Sequence, residues 1–351
     1  MWRQIFLGLF LTLGIGAMAS AMDETIRPVS FDDLPGWAED DHAAAFEVFI
    51  KSCSAEKGKR QLDDEVWKPI CKFAKTKPDP RAFFELMFQP VIIGADKKTL
   101  FTGYYEPEIN GALSRGGPYQ TPIYRKPPEL VEGQLWKSRA EIMDGALNGR
   151  GLEIAWLEDP VEAFFLQIQG SGRIALPDGS ALRVGYAAKN GHEYRSVGQE
   201  MERRGLLPSN KLSAGSIKAW VRRNPTAGRE LLKHNGSYVF FKKLNSLSED
   251  EGPLGALGLS VTTLRTIAVD PRYNPLGMPV YIDKEGRDPI QRLMIAQDIG
   301  SAIKGAQRAD IFYGTGVDAG KIAGRIKDSG RMYTFLPIVS AKRLGAWKDT
   351  E

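Results

Sequence analysis

Ala296-Gln297-Asp298-Ile299-Gly300-Ser301-Ala302-Ile303-Lys304-Gly305, followed after three residues by Ala309-Asp310-Ile311-Phe312-Tyr313-Gly314, is the stretch from which fold and chemistry are both read. Each block is short, apolar and closed by glycine. That punctuation predicts strands joined by a turn-rich connection rather than helices. Asp298 falls at the end of a strand expected to be buried. Asp310 is bracketed by Ala309, Ile311 and Phe312, which would desolvate its carboxyl.

The same texture runs outward through most of the chain. Short apolar stretches over 99–105, 120–124, 164–168, 173–175, 239–241, 268–269, 280–282, 292–296 and 332–336 read as strands, with Pro177-Asp178-Gly179 as a turn between two of them. Helical periodicity is confined to fewer places. An amphipathic helix is expected over 41–54, capped by Asp40 or Asp41, a second from Asp63 or Asp64, and a third opened by Asp79-Pro80. Further helices are expected over 193–204, 214–223 and 226–234, the first and last ended by Gly205 and Gly236. Many short strands with few helices predict a mainly β chain of barrel or sandwich type, with a helical N-terminal segment. The polar, then Gly-rich stretch 247–258 is expected to be a mobile loop or a crossing between domains.

The 351 residues allow about two domains. Lys and Arg total 47 against 43 acids, a net charge of +4 with no basic run, which argues against nucleic acid as partner. Residues 1–21 read as a secretory signal: Arg3, an apolar run from Ile5 to Ile15, and Ala19-Ser20-Ala21 as cleavage site. An uncleaved anchor is the alternative reading, although the run is shorter than the roughly 20 residues of a membrane span. In an exported protein Cys53 and Cys71 are candidates for a disulfide, with two buried thiols as the alternative.

Much chemistry is missing. His42, His192 and His234 are scattered, and no H-x-x-x-H or C-x-x-C pattern occurs, so no metal or other cofactor is expected. There is no G-x-S-x-G elbow. Gly314-Thr315-Gly316-Val317-Asp318-Ala319-Gly320 has the wrong spacing for a dinucleotide loop. What remains for an exported enzyme is carboxylate chemistry. Glycoside cleavage needs little more, provided one acid stays protonated near neutral pH.

The stretch carrying Asp270, Asp298 and Asp310 resembles the 3D domain, a module named for three aspartates. The motifs ahead of it resemble the membrane-bound lytic murein transglycosylase A family: Phe101-Thr102-Gly103-Tyr104-Tyr105-Glu106-Pro107, Tyr119-Gln120-Thr121-Pro122-Ile123-Tyr124-Arg125, Ser138-Arg139-Ala140-Glu141-Ile142, Gln167-Ile168-Gln169-Gly170-Ser171-Gly172 and Gly185-Tyr186-Ala187-Ala188-Lys189-Asn190-Gly191-His192-Glu193-Tyr194. The likeness runs from about residue 99 to 338. It implies a double-psi β-barrel domain assembled from residues 22–107 and 246–351, with an all-β domain, 108–245, inserted between the two parts and a glycan groove between the domains.

The resemblance also implies Asp310 as catalytic acid, with Asp298 and Thr102 beside it. Asp310 would protonate the oxygen linking N-acetylmuramic acid to N-acetylglucosamine in peptidoglycan. It would then accept the proton of the muramoyl C6 hydroxyl as that group closes a 1,6-anhydro ring. Asp298 either couples to Asp310 as a like charge or only anchors its loop. Thr102, Tyr104, Tyr105, Gln169, Gly170 and Ser171 are candidate sugar contacts, with Gln167 and Gln169 expected on one face of a strand. Family members are often lipoproteins, and no lipid-bearing cysteine is visible. A soluble periplasmic protein is therefore expected, with peptidoglycan strands as partner and other cell-wall enzymes as further candidates. Two other readings stay open. One is an inverting hydrolase with Asp298 or Asp270 as base; the other is a non-catalytic, expansin-like wall-binding module.

Overall fold

The computed structural model describes residues 25–55, 62–245, 247–248 and 251–347. The signal-like segment 1–21 lies outside them. Two sheets carry the architecture. A nine-stranded sheet takes β1 (Ile26–Pro28), β2 (Phe88–Ile93), β3 (Leu100–Glu106), β10 (Thr266–Val269), β11 (Pro279–Lys284), β12 (Ile290–Ile299), β13 (Arg308–Thr315), β14 (Lys327–Asp328) and β15 (Gly330–Pro337), in the order β1-β2-β15-β11-β12-β10-β13-β3-β14. A six-stranded sheet takes the intervening β4 (Glu108–Ala112), β5 (Thr121–Tyr124), β6 (Glu153–Leu157), β7 (Ser171–Ala175), β8 (Ala181–Lys189) and β9 (Val239–Lys243), in the order β5-β6-β4-β7-β8-β9. A parallel bridge between Arg125, just after β5, and Phe241 in β9 draws its two edges together.

The helical N-terminal segment packs on the first sheet. Its helices are α1 (His42–Cys53), α2 (Asp64–Ala74) and α3 (Pro80–Met87). Each begins where a carboxylate satisfies a free backbone N–H: Asp41 accepts from Ala44, Asp63 from Glu65 and Asp79 from Ala82. Their apolar faces bring Phe46, Phe49, Trp67, Phe83, Phe84 and Phe88 into one aromatic cluster that is continuous with the core of the nine-stranded sheet, Ile267, Val280, Leu293 and Ile311. Full burial of each such ring stabilises the fold by about 2–3 kcal/mol. Cys53 and Cys71 form a disulfide that ties the end of α1 to α2.

The second unit is not all-β. Besides its strands it contains α4 (Pro160–Gln169), α5 (Val197–Arg203), α6 (Ala214–Arg223) and α7 (Pro225–Leu232). The strand expected over 164–168 is part of α4. Asp159 caps that helix through the Val161 N–H, Pro160 occupies its first turn, and Gly170 ends it with φ of 79°. Val161 and Ala163 to Gln167 are all buried. Five consecutive buried residues, 163–167, leave the middle of the helix without an exposed face, so its apolar run is indistinguishable by periodicity from a buried strand. Two further helices, α8 (Gly316–Ala323) and α9 (Ile338–Arg343), follow β13 and β15.

Candidate active site

Four neighbouring strands place one residue each in a single row across the nine-stranded sheet. Thr102 in β3 is registered with Asp310 in β13, Asp310 with Ala268 in β10, and Ala268 with Asp298 in β12. Registered residues project from the same face, so Thr102, Asp310 and Asp298 share one surface, with only the Ala268 methyl between the two carboxylates. Two strand spacings set the aspartate α-carbons about 9–10 Å apart.

That arrangement depends on an irregularity. Ile267 pairs with Ala296, yet the next residue, Ala268, pairs with Asp298, so Gln297 is an extra residue in β12. A one-residue slip turns a side chain to the opposite face. The bulge therefore turns Asp298 toward Asp310. Gln297 holds it in place: fully buried, its amide oxygen accepts from Thr266 Oγ1 and its amide nitrogen donates to Ser52 Oγ in α1 at 2.9 Å.

Asp298 Oδ1 accepts from the backbone N–H groups of Ala256 and Ile299, both at 2.9 Å. Of the stretch 247–258, residues 251–258 thus reach the site: Ala256 clasps a carboxylate and Leu257 is buried beside Ala55 and Leu276. Gly255 is required there, because a Cβ would stand 2.7 Å from the Gln297 carbonyl oxygen. Burial raises the Asp298 pKa to about 6, against the lowering effect of its two backbone donors and of Tyr104, with the Asp310 charge adding to the rise.

Asp310 is likewise raised by burial, opposed by the Thr102 hydroxyl and the Arg308 charge. Thr102 Oγ1 donates to Asp310 Oδ1, and Arg308 Nη2 donates to Thr102 Oγ1 at 2.8 Å. The chain Arg308–Thr102–Asp310 occupies Oδ1 as an acceptor and leaves Oδ2 available to carry a proton. Arg308 was not singled out from the sequence; its position two residues before Asp310 in a strand was the available signal.

Tyr104 and Tyr105 split across β3. Tyr104 is buried against Phe312, with ring centroids 5.1 Å apart, so its ring offers no face for stacking a sugar. Its hydroxyl lies beside Asp298 without a full hydrogen bond, and burial with the nearby carboxylates raises its pKa. Tyr105 points the other way and covers Gly320 of α8. Gln169 is helical, not on a strand face: its Oε1 accepts from the Tyr105 N–H at 3.1 Å and braces β3 from behind. Gly170 is the cap of α4, and Ser171 is buried at the start of β7. None of these three joins the aspartate row.

Asp270 is fully buried and spoken for. Arg272 Nη2 lies 2.6 Å from its Oδ2, and the Gly305 N–H donates to the same oxygen at 2.9 Å. Burial works against its charge, but these donors prevail and hold its pKa below the usual value. It anchors the 300–305 loop and is unsuited to act as a base. Among the described residues no cluster of His, Cys, Asp or Glu could hold a metal ion.

Glu106, part of the Phe101–Pro107 motif but not chosen as a site residue, joins the two sheets. Fully buried, it takes Arg173 of β7 at 2.9 Å, Arg183 of β8 at 3.1 Å and the hydroxyl of Thr315 at 2.9 Å. Asp159 and Glu162 with Arg222 form a second, more exposed network around a cavity of about 1410 Å³ beside α4. Neither aspartate of the row lines that cavity.

The raised Asp298 pKa has a consequence for stability. Below about pH 4 the acid is protonated in both folded and unfolded chains. As pH rises from there to about 6, the unfolded chain ionises first and the folded state loses relative stability. Asp298→Asn is therefore expected to unfold like wild type at pH 4 and to be more stable by about 1–2 kcal/mol at pH 7.5. Equal stability at both pH values in denaturant titrations would refute the raised pKa.

The chain is similar to known proteins over most of its length. The family model described as the MltA specific insert domain matches residues 100–242, and the 3D domain matches 265–336. Membrane-bound lytic murein transglycosylase A of Escherichia coli K12 is 38% identical over 255 residues, covering 69% of this chain and 67% of that protein. The Vibrio cholerae protein of the same name is 33% identical over 269 residues, covering 73% and 71%. Among solved structures, a membrane-bound lytic murein transglycosylase from Agrobacterium tumefaciens superposes with a TM-score of 0.82 at 32% identity, covering 91% of this chain and 99% of that one. E. coli MltA with bound chitohexaose superposes at 0.68 and 30% identity, covering 85% and 90%.

Proposed function

The chain belongs to the membrane-bound lytic murein transglycosylase A family, and on that premise we propose that it cleaves the β-1,4 bond between N-acetylmuramic acid and N-acetylglucosamine in peptidoglycan, leaving 1,6-anhydromuramoyl ends. The observation that carries this reading is the Thr102–Asp310–Ala268–Asp298 row, with two acids of raised pKa on one face. The chitohexaose bound by the E. coli relative is a chain of the same β-1,4-linked hexosamine type, which supports a glycan as ligand here.

Asp310 enters the reaction protonated, a state that burial favours. Its free Oδ2 donates the proton to the glycosidic oxygen as the bond to the anomeric carbon breaks. The same oxygen then takes the proton of the C6 hydroxyl, whose oxygen attacks the anomeric carbon. No water is consumed and Asp310 ends as it began. Arg308 and Thr102 orient the carboxyl. Asp298, held by two backbone donors, supplies negative charge near the developing oxocarbenium ion when ionised. The substrate's acetamido group can stabilise that cation as well, so a second protein nucleophile is not required.

The nine-stranded sheet fits a double-psi barrel: parallel pairs β3/β13 and β10/β12 flank the antiparallel pair β10/β13. We read residues 108–245 as its inserted domain and the exported, periplasmic side of the membrane as the place of action. Among the described residues no helix is long and apolar enough to cross a membrane.

Hydrolysis is the competing outcome, in which a water molecule in place of the C6 hydroxyl attacks the anomeric carbon. Mass spectrometry of fragments released from purified sacculi decides. Ends one water lighter than the reducing sugar are expected. Fully hydrated ends would establish the hydrolase, and binding without release would establish a wall-binding module.

A further inference from the structure

A second feature adjoins the aspartate row and has no part in the proton transfers. The turn before β3 carries Lys97 and Lys98, and the loop before β13 carries Lys304. Together with Arg308, Tyr273 and the backbone of Gly305 to Gln307 they line a notch of about 380 Å³. Lys98 and Lys304 are exposed and meet no carboxylate among the described residues. The nearby acids do not neutralise the notch. Asp96 lies 3.4 Å from Lys97 at the surface, and Asp270 is fully engaged by Arg272 and Gly305.

The notch is placed by strand register. Leu100 is registered with Arg308, and Thr102 with Asp310 two residues further on. Two residues along a strand amount to about 7 Å on the same face. Arg308 spans that interval, lining the notch and donating to Thr102. Unpaired cations in a concavity next to a reacting centre attract an anionic part of whatever polymer lies across that centre.

Resting on the proposed function, we propose that this notch binds a carboxylate carried on the lactyl arm of the substrate's muramoyl residue. The hexosamine rings of the glycan are uncharged. The negative charges of peptidoglycan sit on its peptide stems, or on the lactyl group itself where the stem has been removed. Either source presents the same carboxylate chemistry to Lys98 and Lys304, held by charge-assisted hydrogen bonds at the rim of the groove.

The test compares the full-length protein with its Lys98→Ala/Lys304→Ala variant, both in an Asp310→Asn background that leaves substrates intact for binding. Three probes are titrated by calorimetry at low salt: a peptide-bearing muroglycan tetrasaccharide, the same tetrasaccharide after amidase treatment, and chitohexaose. Loss of the two lysines is expected to weaken the peptide-bearing probe about tenfold and leave chitohexaose unchanged, with the difference shrinking at high salt. An equal loss on the amidase-treated probe assigns the lactyl carboxylate; a loss confined to the peptide-bearing one assigns the stem. Unchanged affinity for both charged probes, or an equal loss for chitohexaose, overturns the proposal. Product analysis with the same two lysine genotypes carrying Asp310 runs in parallel. Hydrated ends there would refute the transglycosylase reading without touching the notch.

Discussion

Asp310→Asn is expected to lower release of 1,6-anhydro fragments from sacculi by about 10³-fold, with little change in affinity for chitohexaose. The substitution is nearly isosteric. The Asn carbonyl oxygen still accepts from Thr102, so the Arg308–Thr102 chain and the strand register survive. What disappears is a proton that can be given and taken back, and no other group in the row can replace it. Asp298 lies two strands away with Oδ1 bound by two backbone N–H groups. Folding should not suffer, since burial disfavours the charge that the variant removes. Residual release within about tenfold of wild type, at unchanged binding, would show that Asp310 is not the acid and that the proton comes from Asp298 or from water. The same substitution at Asp298 serves as internal comparison. A charge that stabilises the transition state without moving a proton should cost less.

The largest structural effect is expected at Glu106. Glu106→Ala removes a carboxylate shared by Arg173, Arg183 and Thr315 and leaves two guanidinium groups largely buried at the joint between the sheets. Breaking a buried pair by deleting one partner costs about 3–5 kcal/mol, because the remaining charge is desolvated without compensation. In a chain of this size that corresponds to a fall in Tm of about 10 °C. Arg173 and Arg183 also donate to the Glu251 carbonyl, at the head of the loop that carries Gly255 and Ala256 to Asp298. Activity below the new Tm should therefore fall as well, through a looser Asp298. Glu106→Gln keeps the shape without the charge and should fall between the two. A Tm within 2 °C of wild type for the alanine variant would refute a stabilising role for Glu106 at the joint.

Much of this was legible locally. The caps Asp41, Asp63 and Asp79 announced three helices, since a short acceptor side chain before an apolar period has a direct use at a helix start. The strands around Asp298 and Asp310 were legible from glycine-bounded apolar runs. The pattern misleads at α4, where five consecutive buried residues hide the amphipathic period, so the sequence places Gln169 on a sugar-facing strand although it braces Tyr105. It misleads also at Tyr104, because alternation says that neighbours in a strand face opposite ways but not which face is covered.

What the residues offer before folding is carboxylate chemistry set in short strands between turns. Only the tertiary structure decided that Asp298 and Asp310 look at each other across Ala268. That facing depends on one extra residue, Gln297, stabilised by Thr266 and by Ser52 from a helix more than two hundred residues away. The tertiary structure also decided which aspartates hold a proton. Asp270 and Asp298 are the same side chain, but one is buried against Arg272 and the other against backbone amides and Tyr104. A pKa is a property of surroundings, and those surroundings come from segments that meet only when the chain folds.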